Sequence, residues 1–522
     1  MSRPPGLIHE FLRRIESQQL PYSESNCAVP RYDLQLPSDR ELLVTSSRPQ
    51  RFFLGTGASV FTNCLIPAIT SAQHEVILVT CFWAPSKTLT ALCDALGRLA
   101  AHRNRLLEEA RSTGSTPIPP LHVRICLSSR SLLQKLLHPQ SRSGYTYPPA
   151  SWQNKLGLPE PALLEAGGIC LQVKSLFFLP FSVMHSKFVV IDRQRAFVPS
   201  CNVSWEPWLE GCIEVAGDAV RALFAFYSRT WEDPAGTQPA RDGWADRIPG
   251  DSEVAGASRD GVGVGTGLAT VHSAAHLCVD LQLHGPVSTL VLPSSHHRNP
   301  RFRPLPWQKP PPPPDTPLNI ASLQLFEQAE RSIYIQTPNL TCKRVIVALL
   351  HALERGVDVN IVTNRNMMLL EQLLTAGTTT SWCIRSLIRR FCRLKAAPGG
   401  KQKAQIGDGG DAPGDLEAGQ PNQDTRLGHL RVWYFHAKKP SFPEGSAGEE
   451  PVHSHLKLTL VDSKYALLGS GNLDRASWFT SQEMGILFQS DEMCSKIKAA
   501  VDGVLDGRLD VIFDSGQSTG DH

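Results

Sequence analysis

The sequence predicts an α/β fold built as two repeated halves joined by a long linker. Apolar, β-branched runs alternate with amphipathic helical stretches, and that succession occurs twice. A stretch dominated by Gly, Pro, Asp and Ser separates the two occurrences. In the first half GASVFTNCLIPAITSA has the period of a helix, and EVILVTCFW reads as a buried strand. A helix over about 87–105 follows, then the strand LHVRICLSS, a loop-rich insertion over about 129–160, and a helix-to-strand passage, ALLEAGGICLQVKSL. FSVMHSKFVVID and a helix over about 219–231 close the half. The second half reruns this order. LNIASLQLFEQAERSIYIQTPNL and KRVIVALLHALERGVDVNIVTNR each read helix then strand, CIRSLIRRFCRLK is an amphipathic basic helix, and HLRVWYF precedes HSHLKLTLVD.

The expected boundaries are an N-terminal extension over 1–48, a first domain over 49–233, a Gly/Pro-rich linker over 234–316, a second domain over 317–506, and a polar tail over 507–522. The extension is expected to be partly disordered apart from an amphipathic piece at 7–15, and the second domain carries a disordered insert at 396–426. Within the linker, Val287–Ser294 reads as a strand supplied to a flanking domain. The run NPRFRPLPWQKPPPPPDTP reads first as an extended spacer, with an SH3 or WW domain as the partner it could otherwise dock. His272, His276 and Cys278 have metal-like spacing but lack a fourth ligand, so no zinc is expected there.

Composition bounds the function. A chain of 522 residues holds about two to four domains, with cores that need no disulfide or metal. Lys plus Arg is 52 and Asp plus Glu 49, so the net charge of +3 is too small for a chain whose main task is coating nucleic acid or anionic membrane. The 13 cysteines are scattered and contain no C-x-x-C pair, the pattern of reduced intracellular thiols. No secretory signal pattern opens the chain, and no run of about 18 apolar residues occurs. The expected location is intracellular, cytoplasmic or peripheral on an internal membrane.

The chemistry sits at matching places in the halves. HSKFVVID (His185, Lys187, Asp192) and HLKLTLVD (His455, Lys457, Asp462) both fit H-x-K-x-x-x-x-D. A polar turn trails each one, with Ser200 and Asn202 in the first half and Ser470 and Asn472 in the second. Twelve and eleven residues beyond those asparagines lie Glu214 and Glu483, each in an apolar stretch. Period-two geometry puts each His and Lys on one face of a strand. A phosphodiester needs a nucleophile, an acid for the leaving oxygen, and cations around its nonbridging oxygens; two imidazoles and two lysines supply these. The turn residues Ser200, Asn202, Ser470 and Asn472 are candidate phosphate ligands, and Glu214 and Glu483 candidate orienters of the histidines. Asp192 and Asp462 fall at the opposite strand parity, so within the candidate catalytic set their role is indirect. No carboxylate cluster resembles a two-metal site, so metal-independent chemistry without a cofactor is expected.

The doubled motif with its trailing Ser-x-Asn and Glu resembles the phospholipase D superfamily, over about 50–232 and 317–500. The tail GSGNLDRASWFTSQEMGI is similar to that of bacterial-type cardiolipin synthases, although Pro199 stands where such turns carry Gly. The resemblance implies two tandem phospholipase D-like α/β/α sandwich domains related by a pseudo-twofold axis, with both motifs meeting in one cleft. It also implies a covalent phosphohistidine, with His185 as nucleophile and His455 as general acid; the residues alone do not order the two. The function expected is a phospholipid phosphodiesterase or phosphatidyltransferase working on phospholipid at a membrane surface, for which a monomer suffices.

Two alternatives stand beside it. A nuclease or nucleotide phosphodiesterase could use the same constellation, against which the near-neutral charge weighs. An inactive scaffold recruiting partners through the Pro-rich linker would have no use for four retained His and Lys residues. Trp205, Trp208, Trp478 and Phe479 either line a substrate slot or pack the core, and the arginines of the basic helix read as a solvated face.

Overall fold

The computed structural model describes residues 6–17, 32, 36–178, 182–232, 276–295, 312–396, 427–438 and 450–516. The first half opens with the strand Val44–Thr56 and a helical run over Gly57–Val60, Phe61–Leu65 and Ile66–Thr70. The middle turn of that run is π-helical and lies just before Pro67, which has no N–H to continue the regular ladder. Three parallel strands follow side by side, Glu75–Phe82, Leu121–Ser129 and Ile169–Ser175. The helix Lys87–Thr113 crosses between the first two. It starts on Ser86, whose hydroxyl accepts the Leu89 N–H, and stops at Gly114 in the left-handed conformation.

An antiparallel hairpin, Phe188–Ile191 with Arg195–Pro199, joins the other edge of Glu75–Phe82. Trp208–Gly217 and then Val44–Thr56 extend the sheet, and the helix Asp218–Trp231 covers its second face. The second half presents the same order of elements. Val287–Ser294 and the helix Pro317–Gln328 lead to Ser332–Gln336, the helix Lys343–Glu354, Asp358–Thr363, and the helices Leu369–Ala376 and Thr380–Ala396. Leu430–Phe435, the hairpin Leu458–Val461 with Tyr465–Gly469, Glu483–Gln489 and the helix Asp491–Leu505 complete it.

The first strands of the halves pair with each other: residues 44–47 run antiparallel to 287–290. Val287–Ser294 then pairs with Glu483–Gln489, so one mixed sheet runs unbroken through both halves. At this seam the Ser47 and Thr289 hydroxyls lie 2.6 Å apart, buried, beside buried Leu290 and Val291. The stretch expected as a linker therefore supplies two strands, Leu277–Asp280 and Val287–Ser294, the second of them the one expected to serve a flanking domain.

The amphipathic piece expected at 7–15 is a helix, Leu7–Ser17, while part of the tail expected at 507–522 is a strand. In the helix Leu7–Ser17, Phe11 and Ile15 are buried against the helix Pro317–Gln328, where Gln324 donates to the Leu7 carbonyl at 2.8 Å. The tail forms the strand Leu509–Asp514, antiparallel to Leu430–Phe435, and buried Arg508 meets Glu450 at 2.7 Å. The polar composition of the tail hid this strand, LDVIFD, in which Leu509 and Phe513 are half-buried and Val511 and Ile512 are exposed. The basic helix buries Cys383, Ile384, Leu387 and Phe391 against Lys343–Glu354, with Phe391 edge-on to Phe513, while Arg385 and Arg389 are exposed. His272, the polyproline run up to residue 311 and the insert at 397–426 lie outside the described residues. Among the described residues the cysteines are free thiols and no helix is long and apolar enough to cross a membrane.

The seam yields a stability expectation. Leu290→Ala removes a buried side chain where the two halves join and is expected to lower unfolding free energy by about 2–5 kcal/mol in urea titration. A loss below about 1 kcal/mol would mean that the seam carries little of the stability.

Candidate active site

Each H-x-K segment lies against the other half. His453–Ser454 pairs in parallel with Trp208 and Leu209, and the His455 N–H donates to the Leu209 carbonyl at 2.8 Å. Reciprocally, Met184 bridges to Gln482, and the His185 N–H donates to the Gln482 carbonyl at 2.8 Å. This crossing brings each histidine to the glutamate of the opposite half. His185 Nδ1 lies 2.9 Å from both Glu483 oxygens, and His455 Nδ1 lies 2.7 Å from Glu210 Oε1.

A serine of the glutamate's own half holds each carboxylate. Ser470 Oγ donates to Glu483 at 2.5 Å and accepts the Met484 N–H at 3.0 Å. Ser200 Oγ donates to Glu210 and accepts the Gly211 N–H at 2.9 Å. The site thus contains two buried Ser–Glu–His chains that each cross the seam. Lys187 Nζ donates to the His185 carbonyl at 3.0 Å; Lys457 Nζ donates to the His455 carbonyl at 2.7 Å and lies 3.0 Å from both ring nitrogens. The Trp208 ring leans on the His455 imidazole with centroids 4.9 Å apart.

Burial sets the protonation states. It pulls Lys457 down to about 7; Glu210 opposes the shift and the Lys187 ammonium adds to it. Burial likewise brings His455 down to about 4 against the pull of Glu210, with Lys457 helping to keep the ring neutral. His185 is also lowered by burial, with Glu483 opposing and Lys187 reinforcing. Burial pushes Glu210 and Glu483 up, but the adjoining imidazoles, lysines and serine hydroxyls bring both below the usual carboxylate range. Each histidine feels the lysine of the other motif, so the two motifs share one electrostatic site.

Several sequence-predicted residues sit elsewhere. Glu214 meets neither histidine; it pairs with Arg51 at 2.7 Å and Arg195 at 3.5 Å, and Glu210 takes its place. Glu210 and Glu214 share one face of WLEGCIEV, so parity could not separate them. The serine-to-glutamate separation also differs between halves, because the short helix Arg475–Phe479 is inserted only in the second. The hydroxyls of Ser200 and Ser470 are taken by the carboxylates, which leaves them as positioning groups with no free donor for a phosphate. Asn202 Oδ1 accepts the Phe82 N–H at 3.2 Å, and Asn472 Nδ2 donates to Asp474 at 3.0 Å, so both asparagines brace their turns.

The aspartates are remote from the chemistry. Asp192 lies five residue steps along an extended chain from Lys187, about 16 Å. Asp192 and Asp462 each open a hairpin turn with two positive-φ residues, a conformation Asp tolerates. The Asp192 carboxylate accepts the N–H groups of Gln73, His74 and Glu75 at 2.8–2.9 Å. Asp462 accepts those of Glu330, Arg331 and Ser332 at 2.7–3.0 Å. Each anchors the entry of a central parallel strand. Of the aromatics, Trp478 is core, Trp205 is exposed, and Phe479 lies under the Arg475 guanidinium.

Residues 322–504 match the family model described as cardiolipin synthase, PLD-like domain. Over that stretch the match supports the resemblance to the phospholipase D superfamily. Among solved structures, the phosphatidylserine synthase of Haemophilus influenzae Rd KW20 aligns with 90% of this chain and 89% of its own, at 14% identity and a TM-score of 0.49. Nuc from Salmonella typhimurium, a phospholipase D family member, aligns with 43% of this chain and 97% of its own, at 14% identity and a TM-score of 0.24. Polyphosphate kinase from Porphyromonas gingivalis aligns with 89% and 49%, at 10% identity and a TM-score of 0.40. No curated protein matches the chain.

The crossed geometry separates the two candidate glutamates. Glu210→Gln and Glu483→Gln are each expected to lower turnover of a chromogenic phosphodiester by roughly 10–100-fold. Glu214→Gln is expected to stay within about twofold of the unsubstituted protein. Equal losses at Glu210 and Glu214 would contradict the pairing.

Proposed function

We propose that the chain is a phospholipid phosphodiesterase or phosphatidyltransferase working through a covalent phosphohistidine, in a site completed by two duplicated halves. The observation that carries this is the pair of crossed Ser–Glu–His chains flanked by buried lysines, in a chain whose second half matches a cardiolipin synthase PLD-like domain. His185 is the nucleophile, because its side chain keeps 15% of its surface exposed while that of His455 keeps 4%. With Nδ1 bonded to Glu483, its Nε2 lone pair is free to attack phosphorus. As the P–Nε2 bond forms, the P–O bond to the leaving group breaks, and His455 gives that oxygen its proton. His455 then takes a proton from water or an alcohol, whose oxygen bonds to phosphorus as the P–Nε2 bond breaks.

The lysines stabilise the charge on the equatorial oxygens. In the free site the Lys457 ammonium keeps His455 neutral. A bound phosphodiester anion offsets that ammonium, letting His455 hold the proton that the leaving oxygen needs.

The pH dependence follows from Lys457. Its charged form is present below about 7 and lost above it, so kcat/KM falls as pH rises through about 7, by about tenfold one unit higher. Lys457→Arg stays charged throughout and is expected to flatten this alkaline limb even if turnover is slower. An unchanged limb in that variant would assign the titration to another group.

The substrate class is tested with mixed phosphatidylglycerol and phosphatidylcholine vesicles plus ethanol, read by lipid mass spectrometry beside a labelled oligonucleotide. Phosphatidic acid, phosphatidylethanol or cardiolipin that disappears with His185→Asn is the expected outcome. Cleaved oligonucleotide over untouched lipid would move the assignment to a nuclease, and silence on both would remove the phosphodiesterase reading.

A further inference from the structure

Three helices at the carboxyl ends of the parallel strands carry leucines and a tryptophan outward. Leu132–Leu137 follows the strand Leu121–Ser129 and exposes Leu133 (66%) and Leu137 (75%), four residues apart on one face. Leu369–Ala376 follows the corresponding strand of the second half, Asp358–Thr363, and exposes Leu370 (72%) and Leu374 (58%) at the same spacing. Thr380–Ala396 begins with exposed Trp382 and continues along that stripe with Arg385 and Arg389.

These helices stand at the site. The Gln372 side chain accepts from the Thr380 N–H and hydroxyl at 2.6 and 3.0 Å and donates to Asn339 at 2.8 Å, binding the second and third helices together. Arg475, just past the Ser470 turn, donates to the Thr375 carbonyl at 3.2 Å. Leu132–Leu137 and Leu369–Ala376 follow corresponding strands of the two halves, and Glu371 lies within electrostatic reach of Lys135 and of motif Lys187.

Their charge is predominantly positive. Across the three helices Glu371 is the single acid; Lys135, Arg385, Arg389, Arg390, Arg393 and Lys395 are the cations. Arg385 and Arg389 make no ion pair among the described residues. Soluble surfaces rarely gather unpartnered leucines this way, and leucine, tryptophan and arginine together match the layering of an anionic bilayer surface. A second copy of this chain, itself basic on this face, would meet like charge.

We propose that these three helices form a docking face for lipid bilayers containing anionic phospholipid: Leu133, Leu137, Leu370 and Leu374 enter the acyl boundary, and Trp382, Arg385 and Arg389 sit at the headgroups. The inference deepens the lipid phosphodiester reading and rests on it. Docked this way, the site meets a phosphodiester at the depth where lipid headgroups lie.

The test is sedimentation of the full chain with sucrose-loaded vesicles of phosphatidylcholine alone and of equimolar phosphatidylcholine and phosphatidylglycerol. The unsubstituted protein is expected to sediment with the anionic vesicles. The variant with Leu133, Leu137, Leu370 and Leu374 all replaced by Ser should bind them about tenfold or more weakly while still cleaving a soluble chromogenic phosphodiester. Leu370→Ser with Leu374→Ser carries the same test with half the change. Arg385→Glu with Arg389→Glu is expected to abolish the preference for anionic over neutral vesicles. Equal binding by the leucine variants, no binding by the unsubstituted protein, or a dimer in sedimentation velocity that the leucine changes dissociate would each overturn the docking face. Leucine-dependent binding without lipid turnover would retain the face and remove the lipid-substrate reading. Lipid turnover indifferent to the leucines would do the reverse.

Discussion

The two carboxylate–imidazole bonds that cross the seam, Glu483 to His185 and Glu210 to His455, are the constraint on which the site depends. Neither half contains a complete chain of Ser, Glu and His. The serine and glutamate come from a hairpin and the strand beside it, while the histidine comes from the segment that the opposite half lays against that strand. The relation between halves must therefore be held to within a hydrogen-bond length. The unbroken sheet does this, through the pairing of 44–47 with 287–290 and of 287–294 with the strand bearing Glu483. A displacement of about 1 Å at this seam would part donor from acceptor at both histidines at once.

The burial of so many charges is sustained by their mutual pairing. An isolated buried carboxylate is costly, but each glutamate here receives a serine hydroxyl and an imidazole, and each serine in turn receives a backbone N–H. Removing one partner from such a buried arrangement costs about 3–5 kcal/mol, because the remaining charge is left without compensation. The lysines are the less satisfied members. Lys457 has a carbonyl and an imidazole within reach and is pulled down to about 7, so the free site carries unmet demand for an anion. In the proposed function a phosphodiester supplies that anion.

Sequence patterning revealed the order of strands and helices and both motifs, because period and motif are local properties. It misjudged what depends on register and on long-range pairing. Glu210 and Glu214 lie on one face of one strand, and only the pairing of Ser200 with Gly211 identifies which reaches the site. Val287–Ser294 looked like a strand inside a linker; that it joins the two halves depends on partners about 240 residues earlier and 195 later. Ser200 and Ser470 looked free for substrate because hydroxyl partners cannot be read from spacing. Asp192 and Asp462 lie past the strand ends in positive-φ turns, where their carboxylates accept main-chain N–H groups, a partnership that spacing does not reveal.

The halves are alike in order but differ around their histidines, and the differences separate their roles. On the His455 side, Trp208 leans on the ring and Lys457 sits over both nitrogens, which closes the imidazole off from an approaching electrophile. On the His185 side, Glu483 spans Nδ1 with both oxygens and Lys187 turns to the main-chain carbonyl, leaving the ring edge open. A nucleophile must be reached by phosphorus at bonding distance; an acid need only be reached by a proton. Crowding is thus tolerable at His455 and not at His185. In the proposed mechanism, this asymmetry would divide attack and protonation between two otherwise equivalent residues.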